Sequence, residues 1–231
     1  MAVLALILLQ SAAEEPVRSQ RPVPKRHTSI AFQRALTRNK LTFTRQDVPL
    51  RSVLRDISKS AKIAILLDRR IDPTHHLKLT VKRTSVLDTL QLIAKQVSAQ
   101  TAVVGNVVYI GSQQRAAALN AAVKARSADL RKQTRALPIR ERLRFSRRRT
   151  LHWNDLDRPR DLVRTFAGQW NFQVDGLEKI PHDLWAGCTL PSVSSLQGLS
   201  LILVQFDLTF RWKPGLKAIV IVPLAKAPDT K

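Results

Sequence analysis

The sequence predicts an α+β protein made of two tandem small βαββαβ(β) modules, each with two helices on one face of a short sheet, joined by a basic helical linker. Three observations lead there. Apolar spacing recurs at one fixed offset along the chain: Val53-Leu54-Arg55-Asp56-Ile57 matches Leu162-Val163-Arg164-Thr165-Phe166, and Ile63 and Ile65 match Phe172 and Val174. Leu87, Leu90, Ile93 and Val97 match Leu196, Leu199, Ile202 and Phe206 at the same offset, and an internal repeat decides architecture before other signals do. Finally, 44% hydrophobic and 24% charged residues is the composition of a globular chain rather than a wholly disordered one.

The elements follow in order. The start, Met1-Ala2-Val3-Leu4-Ala5-Leu6-Ile7-Leu8-Leu9 and then Ser11-Ala12-Ala13, reads as a secretory signal over residues 1–13, lacking the usual leading Lys or Arg. Residues 14–40, with Pro16, Pro22 and Pro24 among Arg18, Arg21, Lys25 and Arg26, read as an extended, solvated linker. The first module occupies 41–112. Leu41-Thr42-Phe43-Thr44 is a short alternating strand, and Pro49 opens a helix with Leu50, Val53, Leu54 and Ile57 on one face. Ile63 to Leu67 is apolar on both sides and reads as a central strand. Leu77 to Lys82 alternates with one wet face, and a second helix runs from Val86 to Val97. Gly105-Asn106 between Thr101–Val104 and Val107–Ile110 signals a two-residue hairpin.

Residues 113–149 form the linker. Gln113 to about Leu137 lacks Gly and Pro and is rich in Ala, which predicts one long helix. Its apolar seam of Val123, Leu130 and Leu137 is thin, so the helix is expected to lie against one module rather than form a coiled coil. The second module spans 150–223, with a tail at 224–231. His152-Trp153 opens it, Pro159 starts a helix carrying Leu162, Val163 and Phe166, and Asn171 to Val174 is a strand. The segment from Ile180 to Pro191 departs from the first copy, and Pro191 argues against a regular strand there. Ser194-Ser195 reads as the cap of a helix through Leu196, Leu199, Ile202, Leu203 and Phe206. Leu208, Phe210 and Trp212 alternate inward, and Pro214-Gly215 turns the chain into Ala218 to Val222.

Asp47-Val48-Pro49-Leu50-Arg51-Ser52-Val53-Leu54, the apolar strand ending near Asp68, and the closing Gly105-Asn106-Val107-Val108-Tyr109-Ile110 together resemble the secretin and TonB short N-terminal domain. The resemblance covers about residues 41–112; the second module looks like a divergent copy, with its Pro-His-Asp-Leu-Trp segment outside the family's pattern. The resemblance implies a periplasmic domain that contacts other proteins in front of outer-membrane pores or receptors, with no enzyme activity. No barrel follows up to Lys231, so pore and receptor functions are not carried over.

Candidate chemistry is sparse. Seven glycines, none before Gly105, fit no P-loop, dinucleotide or GxxG spacing. His75-His76 beside Asp72 lacks further ligands for a zinc site and reads as a solvated turn. His182 and Asp183, near Cys188 and Ser192, have no strand-to-helix elbow around a nucleophile. They are kept as a candidate partner contact. Cys188 is the only cysteine, so no disulfide forms within the chain, and a buried inert thiol is expected. No catalytic residue, cofactor site or metal site is predicted.

Charge supplies the rival reading. Lys and Arg number 39 against 17 Asp and Glu, a formal +22, and such a field attracts polyanions of any kind. The alternative function is therefore a basic nucleic-acid or anionic-polymer binder. An RNA-recognition sheet needs exposed aromatics, however, and Leu77 to Lys82 has none, so specific nucleic acid is not expected and any binding should be sequence-blind and salt-sensitive. Arg147, Arg148 and Arg149, in a stretch with nine basic residues and one acid between Arg131 and Arg149, are candidate contacts to an anionic polymer or lipid surface; otherwise they are plain solvated linker. The favoured expectation is an exported, non-enzymatic protein of the periplasm or cell envelope that binds an envelope protein partner or itself through sheet edges or open sheet faces.

Overall fold

The computed structural model describes residues 29–224 of the 231. The signal-like run 1–13, residues 14–28 of the predicted linker and residues 225–231 of the tail lie outside the described residues. Within them the protein is α+β, with seven α-helices and four small sheets.

The first half runs α1 (Ser29–Thr37), β1 (Lys40–Pro49), α2 (Leu50–Ser60), β2 (Ala64–Leu67), β3 (His76–Ser85), α3 (Val86–Gln96), β4 (Gln100–Val104) and β5 (Val107–Gly111). Two helices, α4 (Gln113–Thr134) and α5 (Ile139–Ser146), follow. The second half is β6 (Arg148–Trp153), α6 (Pro159–Gln169), β7 (Gln173–Asp175), β8 (Cys188–Ser194), α7 (Ser195–Leu203), β9 (Leu208–Trp212) and β10 (Ala218–Pro223). In the first half β1 pairs antiparallel with β3, while β5 lies between a parallel β2 and an antiparallel β4. In the second half β6 pairs antiparallel with β8, and β10 lies between a parallel β7 and an antiparallel β9.

Local chemistry accounts for these elements. Ser85 caps α3 by accepting from the Asp88 amide, and Ser194 forms a full capping box with Gln197 at α7, as Ser194-Ser195 suggested. Val104 pairs with Val107 across Gly105-Asn106, and Gly105 takes the positive φ of +60° that such a turn requires. The offset that relates Val53 to Leu162 also relates the elements. It carries both ends of α2 onto those of α6, the end of β3 onto that of β8, and the start of α3 onto that of α7.

Backbone strain follows the same offset. Positive φ occurs at Asp47 and Leu156, Lys62 and Asn171, Arg83 and Ser192, and Ser98 and Asp207, four pairs each separated by that interval. For a residue with a side chain this conformation costs about 1–2 kcal/mol, so it is adopted where the chain path demands it. The side chains differ within every pair. Arg83 and Ser192 lie at β-bulges in β3 and β8, where the register shifts against β1 and β6.

Several expectations are corrected. Residues 29–40 are not linker: Phe32, Ala35 and Leu36 share one face of α1 and are buried, and Lys40 already belongs to β1. The basic linker does not reach residue 149, because Arg148 and Arg149 are the first two residues of β6. Pro191 does lie in a strand, β8, but at the bulge opposite Thr150 and in a two-stranded ribbon, where no ladder bond needs its missing N–H. Helix α4 does not lie against one half; it packs along β4 and β5 of the first and α7 and β9 of the second.

That placement joins the halves. Every residue of β5 is buried. Val108 and Ile110 face the core under α2 and α3, whereas Val107 and Tyr109 face a second core that contains Leu119 of α4 and α7. Helix α7 has no exposed residue and is apolar nearly all round, as a helix enclosed on every side must be. The three-stranded sheet of the first half is thus covered on both faces, so the expected open sheet face is absent there.

Candidate functional site

Polar side chains concentrate at the seam between the halves, immediately after β2. Asp68 directly follows that strand and is 1% exposed. A carboxylate buried that deeply needs donors, and it has them: the Tyr109 hydroxyl, the Arg70 amide at 2.9 Å, and the Arg115 guanidinium 4.0 Å away. Arg115, in the first turn of α4, donates onward through Nε to Asp207 at 2.9 Å, and Arg70 donates to both oxygens of the same carboxylate at 3.2 and 2.8 Å. Asp207 sits in the tight turn before β9. Two guanidiniums, one from the loop after β2 and one from α4, thus hold a single carboxylate of the second half.

The neighbouring residue makes a second clasp. Arg69 donates through Nε to Asp183 at 2.7 Å, its amide donates to Gln205 Oε1 at 3.0 Å, and its guanidinium lies 5.1 Å over the Phe206 ring. Asp183 also accepts from Trp185 Nε1 at 3.0 Å, and Trp185 stacks parallel on Phe206 at 5.7 Å. Asp68-Arg69-Arg70 is therefore a three-residue bracket, with the buried acid facing inward and two arginines reaching across the seam.

The ionisation of these groups follows. Burial pushes the Tyr109 phenol well above its ordinary value, and the adjacent Asp68 carboxylate adds to the effect. For Asp183, burial opposes ionisation, but the hydrogen bonds from Arg69 and Trp185 prevail and hold the carboxyl below its usual range. Asp207 behaves likewise: burial is outweighed by Arg70 and Arg115. Arg115 is raised despite burial, because Asp207 bonds and attracts it.

Above this bracket lies an open cleft of about 700 Å³ between α2 and the loop that leads into β8. Arg51, Arg55 and Arg69 line one side; Trp153, Asp183 and Cys188 line the other. The cleft carries charge of both signs. Among the described residues no group of three or more His, Cys, Asp or Glu side chains could hold a metal ion.

No family model matches this chain, and no curated protein matches it. The candidate residues named from sequence fall into two places. Asp183 is in the seam, ion-paired with Arg69, while His182 is exposed beside it. Arg147, Arg148 and Arg149 lie at the opposite end of the β6–β8 ribbon, since Arg148 pairs with Ser194 and Trp153 with Cys188. Arg148 donates to the Ser192 carbonyl at 3.3 Å, and the Arg149 guanidinium rests 5.5 Å over Trp170. The two sets do not form one site.

Sequence reasoning missed Asp68, Arg69, Arg70, Arg115 and Asp207. A signal existed in the charged triplet directly after an apolar strand, and in Tyr109, the one polar side chain in β5. Nothing in the sequence said that these residues meet across 41 to 137 positions.

Proposed function

We propose that the protein is an exported, non-enzymatic cell-envelope adaptor in which two copies of a module similar to the secretin and TonB short N-terminal domain are fused into one body. The observation that carries the reading is the recurrence of four left-handed backbone positions at one interval, with different side chains in each pair. Sequence drifts faster than chain path, so a shared path under changed side chains favours duplication over coincidence. The order of strand pairing, one central strand between a parallel and an antiparallel neighbour in both halves, supports it as well.

The partner surface in this reading is a strand edge, not a sheet face. Helix α4 and the second half cover the outer face of the first three-stranded sheet. The β1–β3 ribbon differs: among the described residues each of its 10-residue strands pairs with one other strand only, and Gln96 of α3 donates to the Lys78 carbonyl of β3 at 2.8 Å. Lys78, Thr80 and Lys82 alternate outward along β3. Strand addition to such an edge gives affinity through main-chain bonds. The charged seam serves as the internal clasp that holds the two copies, which accounts for its polar density without invoking a reaction.

The experiment is photocrosslinking in intact cells with the reactive side chain at Thr80, followed by fractionation. The expected result is a processed protein in the periplasm with an envelope protein crosslinked from Thr80 and none from Thr37 on α1. Recovery in the cytoplasm, uncleaved and bound to nucleic acid that survives high salt, would overturn it in favour of the polyanion reading.

A further inference from the structure

We infer that α5 is a membrane-surface anchor, seating Ile139 and Leu143 in the headgroup region of an anionic phospholipid bilayer. Two independent observations meet on this short helix. Ile139 and Leu143, one turn apart on the same face, are 66% and 55% exposed, among the most exposed large aliphatic side chains of the described residues. Around them Arg135, Arg140, Arg142 and Arg147 are all exposed, and among the described residues none of the four forms an ion pair. Glu141 is the only acid between Arg131 and Arg149.

The outward face is held in place from behind. Phe145, on the opposite side of the helix, is buried and meets Trp212 edge-on at 5.6 Å. Arg144 lies over the Phe145 ring at 4.7 Å and donates to the Leu216 carbonyl at 3.0 Å. Pro138 precedes the helix, so α5 breaks away from α4 and presents its own face. The apolar pair is thus carried rigidly on the second half.

Chemistry selects the occupant. A soluble polyanion would satisfy the arginines and leave both aliphatic side chains in water. A second copy would cover the aliphatics but bring two dense arginine clusters together on chains of formal charge +22. An anionic bilayer surface meets both needs at once, with aliphatic side chains at the acyl boundary and guanidiniums at the phosphates. Among the described residues no helix is long and apolar enough to span a bilayer, so this contact lies on the surface. The inference stands whether or not the halves are copies of one module, and its test uses purified protein, apart from any crosslinked partner.

The test is flotation of the purified chain with phosphatidylcholine vesicles and with vesicles in which roughly a third of the lipid is phosphatidylglycerol, the anionic charge that attracts basic segments. The chain should float with the second and not the first. The double variant Ile139→Ser, Leu143→Ser should bind those vesicles about tenfold or more weakly, as loss of buried apolar area requires, while retaining its affinity for heparin and its thermal midpoint. Arg140→Glu with Arg142→Glu should weaken both ligands. If the serine variant floats like the parent, bulk charge is sufficient and the anchor is disproved. If the parent forms a dimer that the serine variant loses and neither floats, the face belongs to a second copy.

Discussion

Tyr109 is the only tyrosine in the chain, and its hydroxyl is aimed at a carboxylate that water scarcely reaches. Replacing it by Phe keeps the ring but removes a donor from Asp68, and a buried acceptor left short of a partner costs about 1–3 kcal/mol. The sign of its pH effect is opposite to that of an acid pair. The folded phenol is raised, so its contribution is complete below the unfolded value of about 10 and is lost as pH climbs beyond it, when the unfolded chain ionises more readily. Urea melts of the parent should therefore lose stability above about pH 10, and Tyr109→Phe should flatten that limb. Gly198 gives a second single-atom test. A Cβ there would collide with the Phe166 ring and lie 2.8 Å from Leu151 Cδ1, so α6 and α7 approach closely only because residue 198 has no side chain. Gly198→Ala should destabilise by about 1–3 kcal/mol through overpacking in spite of its better helix propensity, read from the denaturation midpoint.

At the scale of elements, the loop between β6 and α6 carries a local conflict. Leu156 is 70% exposed, has φ +70° and contributes little packing, whereas its counterpart in the first half is Asp47, a residue type that tolerates the left-handed region. Leu156→Asn should raise stability by about 0.5–1 kcal/mol, measured as a shift of the urea midpoint at constant slope. A loss of stability would mean that the side chain is engaged. The same loop shows what sequence could and could not convey. Helices α2, α3, α6 and α7 were legible because their apolar residues recur at helical spacing against a buried face, and the hairpin because Gly105 supplies the φ its turn needs. Helix α1 was not, since proline and arginine just before it set an extended expectation that three apolar residues overturn by burial. Strand β8 was hidden by Pro191, which a bulge absorbs. The seam was illegible for another reason: charge pairing across a fold leaves no periodic trace.

At the scale of the whole molecule, the question is whether the halves behave as two domains or one. A chain of small independent modules would give each half a modest core and its own transition. Here the second core takes in Val107 and Tyr109 of β5, Leu119 of α4 and most of α7, so unfolding either half exposes the other's apolar surface. Heat or urea should produce one transition, with amide exchange in β5 and β10 protected to the same free energy. The clasps add an acid limb. Asp183 and Asp207 are depressed in the folded state, so their contribution is present above the unfolded carboxylate value, near pH 4, and is lost as pH falls through the folded values. Both pairs are partly exposed, so their worth is at most about 1 kcal/mol each and salt should erode it. Asp207→Asn with Arg69→Ala, which keeps a side chain suited to the left-handed turn at 207, should lower protection in β5 and β10 together at pH 7 and reduce the acid dependence. If protection fell in β10 alone, the halves would be coupled by neither clasp nor core, and the molecule would be two modules in series.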